Sequence, residues 1–157
     1  MSPAIVLLIS PDNTSHVVAM LDLDAPGGVN GNKTYSPLLH WMAFIPPTQP
    51  LLEANASTAN DIAPYIGPQP SVGTGMHRYT FLLYAAAVDE FQIPASFQKF
   101  NASDLNDRSI FNISGFAEDA SLELVAAIGS RHKTQRQKRC RPLEGLRDIR
   151  ASGRSQR

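Results

Sequence analysis

The chain is 157 residues long, with one cysteine and 14 basic against 14 acidic side chains, a formal net charge of zero. That length gives room for one domain with a modest core, and the lone Cys140 excludes an internal disulfide framework or a cysteine-rich metal site. The zero hides a division, because residues 1–130 hold four basic and twelve acidic groups (−8) while residues 131–157 hold ten basic and two acidic (+8).

Glycine and proline make up 22 residues (10 + 12), and Val, Ile, Phe and Tyr cluster in short runs. Both features favour a mainly β chain with turn-rich loops. No apolar run approaches the roughly 20 residues of a membrane-spanning helix. The opening run Ala4–Ile9 is too short for a signal peptide and lacks a basic flank. Five of the eight asparagines nevertheless sit in Asn-x-Ser/Thr sequons: Asn13, Asn32, Asn55, Asn101 and Asn112. Such sequons matter only in the secretory route. Their excess points to a secreted glycoprotein whose leader is missing here, with a cytoplasmic protein as the alternative.

In chain order, Ala4–Ile9 reads as a strand, residues 11–15 as a turn, and His16–Leu23 as a second strand. A hairpin over 4–23 is the natural local solution. The second run is continuously apolar, which suits a strand covered on both faces. It ends in Asp22-Leu23-Asp24-Ala25-Pro26, where two carboxylates share one face and Pro26 stops the ladder. Such a pair can bind a cation, orient a histidine or do acid–base work; ordinary turn chemistry is the simpler explanation of these residues alone. Residues 27–37 form a polar loop. Leu38–Ile45 is a third strand with His40 inside it, closed by Pro46-Pro47, and residues 48–64 read as a surface loop.

Residues 65–84 are the most informative. Gly67, Pro68, Pro70, Gly73 and Gly75 punctuate a loop that can be neither helix nor central strand. An aromatic strand follows, on which His77 and Tyr79 share a face and Arg78 points away. A small polar pocket at this strand end is one reading; a tight connection with a hydrogen-bonded core histidine is the other. Arg78–Val88 supplies the fourth strand, and residues 89–97 a turn with a short extended piece. Residues 107–114 read as a short helix weakened by Gly115, and 118–128 as a loop followed by a short extended or irregular stretch. Residues 1–130 thus form one domain. Residues 131–157, with three large aliphatics among ten Lys/Arg, cannot offset the entropy of ordering and read as a disordered basic tail. It could meet nucleic acid or an anionic membrane through charge alone. No reader motif or stacking aromatic accompanies it, so no specific nucleic-acid partner is expected.

Three blocks taken together, Asp22-Leu23-Asp24-Ala25-Pro26, Pro37-Leu38-Leu39-His40-Trp41 and Gly73-Thr74-Gly75-Met76-His77-Arg78-Tyr79, resemble the phosphatidylethanolamine-binding protein family over about residues 3–127. The style is similar to secreted fungal members. The resemblance implies an all-β, sandwich-like fold with a short peripheral helix and a small anion-binding pocket. Asp22, His40, Tyr65, His77 and Tyr79 would line the pocket, with Asp24 beside them in the ligand-binding set. Pro26, Trp41, Gly67 and Pro68 would shape its walls. Implied ligands are phosphate or phosphoethanolamine-like anions, and implied roles are regulation or inhibition of a kinase or protease by a monomer, without cofactor, metal or chemical step. Arg108–Asn112 is similar to the family's segment before its closing portion. The alternative is a hydrolase using Asp22, His40 and His77, metal-assisted or not; it lacks a positioned nucleophile and a standard metal spacing.

Two imidazoles and a phenol would supply donors to phosphate oxygens. Asp22 would hold one histidine's tautomer and leave its other nitrogen toward the ligand. Binding should then weaken as pH rises through about 6.5. Three departures from the family pattern stand out. Leu23 replaces a proline. The region expected before the Ala4 strand is missing, so that a truncated sandwich would leave an apolar face or edge uncovered. After Ala127 the apolar pattern gives way to the basic run, as at a gene-model boundary.

Overall fold

The computed structural model describes residues 6–8, 14–47, 51–53, 61–87, 90–101 and 104–133. Among these described residues seven strands run in chain order: β1 Val6–Leu8, β2 Ser15–Asp22, β3 Leu38–Ile45, β4 Leu51–Glu53, β5 Asp61–Ala63, β6 Met76–Ala86 and β7 Leu122–Lys133. One α-helix, α1, spans Ile113–Asp119, and 3-10 turns span Ala95–Asn101 and Leu105–Arg108. The main sheet has the order β5-β3-β2-β6-β7, antiparallel throughout, and β1 pairs with β4 in a second, two-stranded sheet. The fold is mainly β and sandwich-like.

β2 sits at the centre because all eight of its residues are buried, a demand met only with neighbours on both edges and both faces. Val17, Ala19 and Leu21 face one apolar layer, Val18 and Met20 the other. Burying each of the larger aliphatics stabilises by roughly 1.5–3 kcal/mol. The first layer is aromatic: Phe97, Phe100, Phe111 and Phe116 meet at ring-centroid distances of 4.8–6.0 Å. The second gathers Trp41, Ala43, Ile45 and Tyr79.

Several local expectations are corrected by pairing that no local pattern encodes. β1 does not form a hairpin with β2; its partner is β4, with Val6 opposite Glu53. Residues 48–64, read as a surface loop, contain β4 and β5, while residues 48–50 and 54–60 lie outside the described ones. The helix expected at 107–114 is displaced: the 3-10 turn ends at Arg108, Ile110 takes a φ of 56°, and α1 starts after Asn112. Asn112 caps it by accepting a hydrogen bond from the Gly115 N–H at 3.0 Å. A Cβ on residue 115 would sit 2.5 Å from Asn112 Nδ2, so the glycine admits the cap. Over 118–128 the loop expected first is the end of α1 and a turn at Ala120 and Ser121, and the stretch after it takes the extended alternative, as β7 from Leu122. β7 runs on to Lys133, because Met76, His77 and Arg78 of β6 pair with Lys133, His132 and Arg131. The first three residues assigned to a disordered tail are therefore ordered by backbone pairing; residues 134–157 lie outside the described ones.

Candidate functional site

One end of the main sheet collects the polar side chains. Asp22 is the last residue of β2, and Tyr79 of β6 lies directly opposite it. Two residues back on the same face is His77. On β3 the register slips: Met20 pairs with Trp41 but Leu21 with Leu39. His40 is thus the extra residue of a β-bulge, a device that re-aims a side chain. The bulge is clamped through its carbonyl, which accepts from the Ile66 N–H at 2.9 Å and from Arg108 Nη1 at 3.3 Å. Arg108 is wholly buried and also donates to the Pro64 carbonyl at 2.7 Å, tying the 64–71 loop to β3.

These elements enclose a cavity of about 170 Å³ lined by Asp22, His40, His77 and Tyr79, with Pro26, Leu38, Pro70 and Ser71 among its walls. His77 Nδ1 is 2.8 Å from Asp22 Oδ2, and both side chains are almost inaccessible to solvent. Asp22 Oδ1 accepts from the Asp24 N–H at 2.8 Å. Burial first, then the charge of Asp22 and a hydrogen bond to it, push the Tyr79 phenol far up, so it stays a donor. The Tyr79 ring is also a hub, meeting His40 edge-on at 5.2 Å and His132 of β7 at 5.4 Å.

The second nitrogen of His77 is not left open to a ligand, as the sequence implied: Nε2 lies 2.9 Å from Thr74 Oγ1, which donates to the Ser71 carbonyl at 2.8 Å. The Thr74 loop is seated by Gly28, whose φ of +78° and missing Cβ let the Thr74 carbonyl approach to where a Cβ would be. His40 behaves differently. Its Nδ1 is 2.8 Å from the Ile66 carbonyl, while Nε2 is buried and has no partner among the described residues. Burial holds His40 below the ordinary histidine value, outweighing the attraction of Asp22.

The other residues implied by the resemblance lie elsewhere. Asp24 is not in the cavity lining; it is fully buried and gripped by Arg78, with Nε on Oδ2 at 2.8 Å and Nη2 on Oδ1 at 2.9 Å, while Lys33 Nζ reaches Oδ1 at 2.9 Å. The Arg78 guanidinium is the chief reason its carboxyl stays well below the carboxylate range. Tyr65 packs edge-on against Trp41, whose Nε1 donates to Asp61 at 3.1 Å. Tyr65, Trp41, Gly67 and Pro68 are not among the residues that line the cavity. Thr74 and Arg108 went unassigned in the sequence. Signals existed for both: a hydroxyl between two φ-positive glycines, and one of only four basic residues in the acidic body. The Ile66 carbonyl carried no signal, since any residue supplies one. Among the described residues, no group of three or more His, Cys, Asp or Glu is placed to hold a metal ion, and no helix is long and apolar enough to cross a membrane. Of the sequons, Asn32 is in an exposed loop and Asn112 is the exposed helix cap; Asn101 closes a 3-10 turn, and Asn13 and Asn55 lie outside the described residues.

The family model described as phosphatidylethanolamine-binding protein matches residues 1–113. Among curated relatives, the chain is 32% identical over 74 residues to a putative phosphatidylethanolamine-binding protein of Plasmodium falciparum, covering 46% of this chain and 37% of the relative. It is 30% identical over 109 residues to the phomoidride biosynthesis cluster protein N of Talaromyces stipitatus (68% and 52%). A third relative is the rice (Oryza sativa subsp. japonica) protein MOTHER of FT and TFL1 homolog 2, 30% identical over 129 residues (80% and 64%). The chain therefore spans between 37% and 64% of the length of these relatives. Among solved structures, a carboxypeptidase Y inhibitor complexed with its cognate proteinase superposes with a TM-score of 0.54 at 24% identity, covering 81% of this chain and 63% of that one. The Plasmodium falciparum phosphatidylethanolamine-binding protein gives 0.50 at 20% identity (78% and 65%). These two likenesses concern the fold. The family match runs through the blocks that carry Asp22, His40 and His77, and on that ground the chain belongs to the phosphatidylethanolamine-binding protein family.

Proposed function

We propose that the protein binds a phosphate-type small anion, free or as a headgroup, in the cavity at the end of the main sheet, and acts without a chemical step. The observation that carries this is the convergence of Asp22, His40, His77 and Tyr79, from three neighbouring strands, on one cavity of about 170 Å³. That volume suits a phosphate-sized group and excludes a folded lipid. Asp22 keeps the site from being simply cationic, which favours a weakly held anion over a polyanion. Family membership supports extending the role to regulation of a partner, a peptidase or a kinase. The sequons support a secretory route, in which Asn32 and Asn112 would be accessible to glycosylation.

Titration of ¹⁵N-labelled protein with inorganic phosphate and with phosphoethanolamine tests the site. Shifts confined to the amides of residues 22–26, 38–41, 69–79 and 105–108 are expected. Shifts confined to the basic residues beyond 133, or none at all, would overturn it. Loss of apparent mass on treatment with a glycosidase, for protein made in a secreting eukaryotic host, tests the route.

A further inference from the structure

We propose that the cavity selects a phosphomonoester in its singly protonated form, whose P–OH donates a hydrogen bond to His40 Nε2. This deepens the proposed anion binding and rests on it. A carbonyl oxygen can only accept, so the 2.8 Å contact with Ile66 puts the ring proton of His40 on Nδ1. A neutral imidazole in that tautomer presents a lone pair at Nε2. That atom is buried and lacks a partner among the described residues, on a ring that lines the cavity. Leaving a buried acceptor unmade is costly, so a ligand that brings a hydrogen to it gains over one that does not.

The groups around His40 do not supply that hydrogen. On β2, Asp22 already accepts from His77 and Asp24. On β6, His77 is engaged by Asp22 and Thr74, and the Tyr79 hydroxyl by Asp22. Arg108, from the 3-10 turn, donates to the backbone carbonyl of His40, and the Tyr65 hydroxyl, on a ring packed against Trp41, is itself buried without a partner among the described residues, His40 included. Tyr35, the other titratable lining residue, is about half exposed. Burial disfavours charging the imidazole, which agrees with the acceptor role.

A phosphate dianion carries only acceptors, and so does a phosphodiester. The monoanion of a monoester, with one P–OH, matches the lone pair of His40. Since the second ionisation of such a phosphate lies near 6, binding at pH 7.5 must take up close to one proton. Above that ionisation the affinity should fall about tenfold per pH unit.

Calorimetry on the full chain with methyl phosphate, dimethyl phosphate and glycerophosphoethanolamine, in two buffers of different ionisation enthalpy at pH 7.5, decides it. Methyl phosphate should bind with uptake approaching one proton, and dimethyl phosphate at least about tenfold more weakly. His40→Asn should lose the proton uptake and narrow the gap between the two esters. The ester comparison on the unmodified chain stands even if that variant fails to fold. Equal binding of both methyl esters without proton uptake would overturn the inference and leave anion binding intact. Binding of glycerophosphoethanolamine but not methyl phosphate would assign the hydrogen to a lipid headgroup's ammonium, and overturns it too. Failure of all three to bind would remove both proposals.

Discussion

His40 gives its Nδ1 hydrogen to the carbonyl of Ile66, 26 residues further along the chain and 2.8 Å away. That single bond decides which ring nitrogen carries the hydrogen and which keeps a lone pair. It depends on the bulge in β3 and on the loop held by Arg108, so the chemistry of the site is set by backbone geometry as much as by side-chain identity.

The Asp22–His77 contact is nearly inaccessible to solvent. Removing one member of a buried pair leaves the other without compensation, typically at 3–5 kcal/mol. Asp22→Ala should lose stability on this order in urea denaturation, with part of the cost coming from the Asp24 N–H and the Tyr79 hydroxyl that also lean on it. A change below about 1 kcal/mol would mean that the pair is screened by water.

Stability should fall in two separate acid windows. Because burial holds folded His40 below its ordinary value of 6.5, the unfolded chain takes up a proton there first. The contribution is present above about pH 6.5 and is lost as pH drops below it. Asp24 is held below its ordinary 3.8, so its contribution is present above that value and lost as pH falls further. Denaturation at pH 7.5, 5.5 and 3 should show both steps, with His40→Asn removing only the first.

Arg78 holds Asp24 through a two-pronged side-chain contact and its own N–H, which donates to Oδ2 at 3.0 Å. Arg78→Ala should destabilise the fold, since a fully buried carboxylate would keep only Lys33 and the backbone bond. Arg78→Lys should recover part of this, because an ammonium cannot reproduce the planar fork. Thermal melts of the two variants side by side would show the order.

Phe111 touches Phe97, Phe100 and Phe116 and is almost completely buried. Phe111→Ala should cost roughly 3–5 kcal/mol. Asn112→Ala, next to it, should cost about 1 kcal/mol through the lost cap. Equal losses at the two positions in a chemical denaturation series would contradict the packing described.

What the amino-acid order determined unaided was the cores of β1, β2, β3 and β6 and four side chains of the cavity, Asp22, His40, His77 and Tyr79. The unbroken apolar run of β2 announced a strand covered on both faces, and the alternation at His77 and Tyr79 announced a shared face. These are consequences of side-chain period, which acts over a few residues. Tertiary structure alone decided that β1 pairs with β4, that His40 falls in a bulge, that Thr74 occupies His77, and that Asp24 serves Arg78. Each of these is a question of which distant backbone or side chain answers a hydrogen-bonding group. The partners are separated by 26 to 68 residues for His40 and Ile66, Asp24 and Arg78, or His40 and Arg108. No local pattern carries that information, because register is settled only when the whole sheet closes.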